Sequence, residues 1–402
     1  MKSPNTTEVV NLDGPQAGIT WGPIVANDSL PDYRVYRGID FMKVSFWLDW
    51  DGNRDFFEIL DRKKDSMQAT ESVEFLPVVL HGTEWNLSRT GVRLFNYRLI
   101  SGDVVLLLSS RGASSNFPSA RLEIGSLSSQ TVLPTILLGV RSLFSTLNCK
   151  IVKEQVSEVH LSADFIGIDI KDLSLDNKDR WISRARDFVP NYQSWKLSGC
   201  SLGKGDIMLR CYDKILELKR SVHKQEIFAD LWGLDSFDSS PVTRVEYQLR
   251  RPILKNFRGI DTFDNGLTSP DVLLQALQSL WSYCTTDWSR FSSTVIDREN
   301  KHQQRATISS FWEAVKGVVW TNVFKVRREK KISHKDLDSL RKQVRGGMMT
   351  VLSFFVQDIY DFNEINCLAK RFIEEDLLSF QQDESEFINR MMLKRNAVLL
   401  GV

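Results

Sequence analysis

One tyrosine among eight stands where side chains could do chemistry. In LRCYDKILELKR, residues 209–220, Tyr212 lies two positions after Arg210 and two before Lys214, where an apolar strand ends and a basic stretch begins. Two readings compete. An aromatic side chain at a strand end ordinarily packs its ring and leaves its hydroxyl at the rim. A phenol among cations, with carboxylates in reach, is alternatively a nucleophile that attacks a phosphodiester and stays joined to the strand. A phenol titrates near pH ~10, so it is mostly protonated at neutral pH and the second reading demands an activating group.

Acids supply one means of activation. Glu123 in ARLEIGS, His160 and Asp164 in EVHLSADFIGIDI, and Glu246 in PVTRVEYQLRR all fall in segments with strand-like alternation. His160 and Asp164 are four apart and share a sheet face by the period of two. If neighbouring strands carry Glu123 and Glu246 to that face, the group offers oxygen-rich ligands with one imidazole, a set suited to Mg²⁺ or Mn²⁺. The competing arrangement pairs each acid with a cation: Glu123 with Arg121 or Arg111, Glu246 with Arg244 or Arg250. Other chemistries are excluded by spacing. GKGD at 203–206 is not a phosphate loop, no HExxH or GxSxG occurs, and the five histidines contain no His-apolar-His pair of the kind that holds the metal in one large class of nicking enzymes.

The elements that must position these residues fall into two similar runs. In the first, IDFMKVSFWLD reads as a strand and NRDFFEILDRKK as a helix. The hairpin LFNYRLISGDVVLLLSSR turns at Ser101-Gly102-Asp103, and the strand ARLEIGS leads into the helix LPTILLGVRSLFSTL. The second run repeats this order with EVHLSADFIGIDI, DRWISRARDF, LSGCSLGKGDIMLRCYDK and PVTRVEYQLRR. Setting SARLEI against TRVEYQ places Arg121 and Glu123 opposite Arg244 and Glu246, and SGDVVLLLSSR opposite GKGDIMLRCYDK. The expected fold is α+β: two pseudo-repeated sheet-and-helix lobes over residues 30–260, preceded by a flexible arm at 1–29 and followed by an all-helical domain at 265–402. In that last region Leu273, Leu277, Leu280, Trp281 and Cys284 form one apolar stripe, and Phe311, Trp312, Val315 and Val319 another. At helical spacing these are core.

Composition frames these readings. The chain has 402 residues, 42% hydrophobic and 26% charged, as expected of a globular protein of two or three domains. A net charge of +1 gives no bulk attraction to nucleic acid, so any such contact must be local. From Lys316 to Arg345 there are ten Lys or Arg against three acids. Such a run is either a solvated helix face or a surface for phosphates, with Lys325, Arg327, Arg328, Lys330, Lys331, Arg341, Lys342 and Arg345 as contacts. Lys204, Lys219 and Arg220 are further candidates nearer the tyrosine. Five scattered cysteines suit a reducing cytoplasm, and neither a signal peptide nor a membrane-spanning run is present.

Taken together, GCSLGKGDIMLRCYDKILELKR and, about thirty residues on, WGLDSFDSSPVTRVEYQLRR resemble the replication-initiator family of rolling-circle plasmids, phages and integrative elements. That family's motif reads roughly G-S-R-x-S-x-x-x-x-R-[IF]-Y-[DN]-K, followed by R-x-E on a strand. ARLEIGS, EVHLSADF and DRENKHQQRATISSFWEAV fit further family segments in order, so the resemblance covers residues 30 to 325. Two departures stand out: Glu158 and His160 occupy positions where the family has Arg and Asp, and Gly203 to Asp206 replace the approach to the tyrosine.

The resemblance implies a relaxase-like endonuclease. Tyr212 would be the nucleophile, Arg210 and Lys214 would handle the phosphate, and Glu123, Asp164 and Glu246, with His160, would hold Mg²⁺ or Mn²⁺. The product would be a 5′-phosphotyrosine link that is later reversed to rejoin the strand. Expected partners are origin DNA as a single strand or hairpin, a host helicase and a second copy of the chain, but no membrane. A non-catalytic DNA-binding regulator of a mobile element with the same fold is the alternative, as is a protein-interaction module.

Overall fold

The computed structural model describes residues 18–21, 30–50, 55–70, 73–112, 117–259, 266–299, 302–320, 324–329, 334–356, 361–382 and 384–400. The expected arm at 1–29 therefore lies outside the described residues, apart from the backbone of Gly18–Trp21. Strands in chain order are β1 (Gly18–Trp21), β2 (Arg34–Asp49), β3 (Phe75–Leu80), β4 (Thr83–Ser88), β5 (Tyr97–Ser101), β6 (Val104–Leu108), β7 (Ala120–Ile124), β8 (Lys150–Ile166), the short β9 (Trp181–Ser183), β10 (Phe188–Gln193), β11 (Lys196–Leu202), β12 (Ile207–Asp213) and β13 (Val242–Arg250). All but β9 join one twelve-stranded sheet in the order β10-β11-β12-β13-β8-β2-β7-β6-β5-β4-β3, with β1 on β2. Every pairing in it is antiparallel.

The order shows a duplication. Outward from β2 come β7, β6, β5 and β4; outward from β8 come β13, β12, β11 and β10. The two lobes meet along the β2–β8 pair, related by a pseudo-twofold axis. The hairpin closures set their register: Gly125 N donates to Asp103 O, and Arg250 N to Asp206 O, both at 2.9 Å. Across the axis, Lys43 faces Glu158 and Phe41 faces His160. Lys43 is thus the counterpart of His160, and Ser109 that of Tyr212. Arg121 matches Glu246, and Glu123 matches Gln248. The strand alignment expected from sequence, Glu123 against Glu246, is off by two residues. The cause is that R-x-E recurs locally in both strands, whereas the tight turns fix where each hairpin begins.

The helices of this part are α1 (Asp55–Gln68), α2 (Ser126–Thr131), α3 (Leu133–Thr146), α4 (Lys214–Leu218), α5 (Val222–Trp232), α6 (Arg251–Leu254), α7 (Pro270–Leu274), α8 (Leu277–Ser282) and α9 (Ser310–Lys316). One sheet face is covered by aromatic contacts: Phe46 to Phe144 of α3 at 5.2 Å, Phe165 to Phe311 of α9 at 5.2 Å, and Tyr247 to Trp281 of α8 at 5.5 Å between ring centroids. On the other face, α4 and α5 cover one end, where Tyr36, Ile166, Ile215, Leu218, Phe228, Trp232 and Val242 form a buried cluster. Much of the rest of that face carries polar side chains, interrupted by Phe41, Val105, Leu107 and Met208.

The chain divides into two compact units, Met1–Asn256 with Asn265–Val326, and Phe257–Asp264 with Arg327–Val402. Sequence periodicity groups α7 to α9 with the later helices, but they belong to the sheet unit. Trp281 and Trp312 are buried there, donating from Nε1 to Val315 O at 2.8 Å and to Thr285 O at 3.0 Å. The stripes through Leu273, Leu277, Leu280 and Cys284 and through Phe311 and Val315 are buried as well, although Val319 is exposed. The second unit contains β14 (Phe257–Gly259) and the helices α10 (His334–Phe355), α11 (Phe362–Gln382) and α12 (Glu384–Leu400). In the sheet unit, β15 (Ser289–Phe291) pairs with β9 as a separate two-stranded ribbon. Among the described residues, no helix is long and apolar enough to cross a membrane.

Candidate metal and tyrosine site

Three neighbouring strands of the second lobe put their polar side chains on the open face. The antiparallel register sets Arg210 of β12 opposite Glu246 of β13, and Tyr212 opposite Arg244. It also sets Arg244 opposite Asp164 of β8, Glu246 opposite Ser162, and Gln248 opposite His160. The alternation of two along each strand then brings Glu158, His160, Asp164, Arg210, Tyr212, Arg244, Glu246 and Gln248 to one side. A bulge contributes one more group. On β2, Ile39 faces Leu161 and Phe41 faces His160, leaving Asp40 as the extra residue. Bulges re-aim a side chain in this way. Nothing in the sequence marks Asp40, because a bulge exists only in the pairing.

Tyr212 Oη donates to Glu246 Oε2 at 2.8 Å. The other oxygen, Oε1, meets His160 Nδ1 at 2.9 Å and accepts from Arg210 Nη1 at 3.0 Å. His160 Nε2 lies 2.9 Å from Glu158 Oε1, which also accepts from Gln248 Nε2 at 2.7 Å. Arg210 Nη2 closes the ring by donating to Gln248 Oε1 at 3.0 Å. Burial by itself would lower the His160 pKa, but its hydrogen bonds to Glu158 and Glu246 and their charges outweigh burial and raise it to about 9. Burial likewise opposes ionisation of Glu246, yet His160, Arg210 and Arg244 hold its carboxyl well below the usual range. Desolvation and then the Glu246 charge push the Tyr212 phenol well above its ordinary value.

A second network lies beside the first. Arg244, which is fully buried, grips Asp164 through Nε at 2.5 Å and Nη2 at 2.7 Å and also contacts Asp40. Trp232 Nε1 donates to Asp164 Oδ2 at 2.9 Å. Lys214 is 2% exposed, pairs with Glu217 at 2.6 Å, and lies 4.8 Å from the Phe228 ring and 5.9 Å from the Tyr212 ring. It thus sits over the tyrosine's ring. Burial and then Arg244 lower its pKa. Gly199 of β11 pairs directly with Tyr212 of β12, where a Cβ would lie 2.8 Å from Cys211 O and 3.0 Å from Tyr212 Cβ. The glycine keeps that flank of the ring open.

Asp40, His160 and Glu246 each offer one ligand atom, all within 4.8 Å of one another. Two carboxylates and an imidazole fit a divalent ion such as Mn²⁺ or Mg²⁺. Of the expected ligands, His160 and Glu246 are in this group and two are elsewhere. Asp164 is committed to the Arg244 fork. Glu123, on the same face, lies 3.6 Å from Lys43, which lies 3.8 Å from Glu158. Strand order accounts for that displacement, because β2 and β8 lie between Glu123 on β7 and Glu246 on β13.

The expected DNA contacts are dispersed. Lys204 is exposed and 3.2 Å from Asp187, and Lys219 and Arg220 are exposed at the end of α4. Lys325 and Arg327 are exposed and Arg328 half-buried, in and next to the short strand β16 (Val326–Arg328). Arg341, Lys342 and Arg345 are exposed on α10. Lys330 and Lys331 lie outside the described residues.

The chain is similar to a solved replication initiator. That structure is the Rolling Circle Replication Initiator Protein from Geobacillus stearothermophilus, matched at 15% identity over 70% of this chain and 96% of that one, with a TM-score of 0.38. No family model matches the chain, and no curated protein does. What the site can do is therefore read from its side chains.

Proposed function

We propose that the chain is a DNA nicking and rejoining enzyme that initiates rolling-circle replication of a mobile element, with Tyr212 as nucleophile. The observation that carries this reading is the 2.8 Å hydrogen bond from Tyr212 Oη to Glu246 Oε2, a carboxylate that also belongs to the convergent Asp40, His160 and Glu246 group. A nucleophile within hydrogen-bond reach of a carboxylate, which is itself oriented by a third group, is the arrangement that nucleophilic catalysis requires. The motif around LRCYDK and TRVEYQ supports the same reading.

Tyr212 Oη attacks the scissile phosphorus. A new P–O bond forms to the phenol, and the bond from phosphorus to the 3′ oxygen breaks. The hydrogen bond to Glu246 Oε2 orients the phenol, whose proton passes to solvent, while the departing 3′ oxygen takes a proton from solvent. Arg210, anchored by Glu246 and Gln248, presents its remaining N–H edge to a phosphate oxygen. Asp40, His160 and Glu246 would hold a divalent ion, which when bound would neutralise phosphate charge and ease formation of the phenolate. Attack on a stacked, paired backbone is geometrically poor, so the strand reaches Tyr212 unpaired. Reversal of the same step rejoins the strand.

The test uses supercoiled plasmid carrying the element's own origin, with Mg²⁺ or Mn²⁺. The expected product is a nicked circle bearing protein on its 5′ end, absent with Tyr212→Phe. Nicking that persists in Tyr212→Phe removes the tyrosine from the reaction. No nicking with either metal favours the non-catalytic DNA-binding regulator.

A further inference from the structure

The hairpin of β10 and β11, which forms one edge of the sheet beside β12, ends in an unusual residue. Gln193 faces Lys196 across the last rung, so the turn consists of Ser194 and Trp195 alone. Both have positive φ, 49° and 64°. A two-residue turn of this kind favours Asn-Gly, because a side chain at positive φ is strained, a bulky one most of all. Trp195 is also 98% exposed. A tryptophan that neither packs nor suits its backbone contributes nothing to folding, and strain of this kind collects at functional positions.

The hairpin leads back to the tyrosine. Gly199, four residues beyond Trp195, faces Tyr212, which places the backbone of Trp195 roughly 13 Å along the strand from the nucleophile's rung. On the side of that rung away from the hairpin tip lies a groove of about 310 Å³ lined by Asn191, Ser201, Met208, Arg210 and Tyr212. That volume is at the lower end of the range for small-ligand pockets, about 300–1,000 Å³. Its lining offers one amide, two hydroxyls and one guanidinium around an apolar thioether, a chemistry that receives a planar heterocycle bearing hydrogen-bonding edges.

We infer that the β10–β11 hairpin is a subsite for unpaired DNA: an unpaired nucleotide next to the scissile phosphate sits in the groove beside Tyr212, and Trp195 stacks on a base further along the same strand. The inference rests on the proposed function and adds to it which residues hold the strand. Stacking on an exposed aromatic side chain is tolerant of sequence, so Trp195 contributes affinity, while Asn191 and Ser201 read the edge of the base in the groove.

Binding of a labelled oligo(dT) of about 16 nucleotides, in a chelator to prevent cleavage, tests this by anisotropy. Trp195→Ala is expected to weaken binding about 5- to 100-fold and Trp195→Phe much less, as loss or retention of one stacking surface demands. Asn191→Ala is expected to weaken it several-fold. Trp195→Gly separates function from folding: it relieves the strained turn and melts no lower than the wild type, yet binds as poorly as Trp195→Ala. If Trp195→Ala binds as the wild type does, the subsite is overturned and the nicking reading still stands on Tyr212→Phe. If both Trp195→Ala and Trp195→Gly lower the melting temperature together with binding, the residue is structural and the subsite is again overturned. A wild-type chain that neither binds the oligonucleotide nor nicks its origin overturns both readings.

Discussion

His160 is held between two carboxylates, and that placement has a measurable consequence for pH. Its folded pKa of about 9 exceeds the unfolded value near 6.5, so the stabilisation it provides is fully present below about pH 6.5 and is lost as pH rises through about 9. The shift corresponds to up to about 3 kcal/mol. Urea unfolding of the metal-free protein at pH 6 and pH 10, compared with His160→Gln, measures it: the wild type is expected to lose more stability over that interval than the variant. The same proton must leave before the imidazole can ligate a metal. Mn²⁺ binding at neutral pH is therefore expected to release about one proton, seen by calorimetry in buffers of different ionisation enthalpy, and to tighten up to about pH 9. Arg244 makes a contrasting case. Asp164→Asn leaves its buried guanidinium short of a charge partner and is expected to cost about 3–5 kcal/mol. Glu123→Gln touches only the half-exposed pair with Lys43, worth about 1 kcal/mol or less. If Glu123→Gln abolishes Mn²⁺ binding while Asp40→Asn does not, the ion is held by Glu123 and the assignment of Asp40 as a ligand fails.

At the level of elements, one bulge and one register decide the site. Deleting Asp40 from β2 removes the extra residue that the β2–β8 ladder accommodates, and the side chain that would ligate goes with it. The expected result is loss of Mn²⁺ binding with the far-UV spectrum retained. The pseudo-twofold also explains why only one lobe carries the site. Where the second lobe has Glu246, His160 and Tyr212, the first has Arg121, Lys43 and Ser109, two cations and a hydroxyl that neither ligate a metal nor supply a phenol. The first lobe keeps the sheet, and the proposed chemistry falls to its counterpart. Helices α8 and α9 matter through burial. Trp281 is fully buried beneath Tyr247 and Trp281→Ala is expected to cost about 3–5 kcal/mol, lowering the urea midpoint without removing any site residue.

For the whole molecule, the site residues from Asp40 to Gln248 all fall in the sheet unit. The exposed cations Arg341, Lys342 and Arg345 belong to the other unit. If these three bind DNA phosphates, replacing them together with alanine lowers the salt dependence of duplex binding by roughly 0.9 in log–log slope for each phosphate no longer neutralised. An unchanged slope would mark the basic stretch as a solvated helix face. Mn²⁺ binding, which uses only the sheet unit, is expected to be unaffected by the triple substitution.

The α+β class and the buried tryptophan stripes were legible in the sequence, because periodicity and turn chemistry are local properties that each segment carries by itself. Spacing also put Tyr212, His160 and Glu246 on strands. Which of them meet was decided by pairing between strands more than one hundred residues apart in the chain. The bulge turned Asp40 inward, Arg244 claimed Asp164, and the strand order set β2 and β8 between Glu123 and Glu246. A strand's own residues say which side each one faces; only the neighbouring strands say what stands opposite.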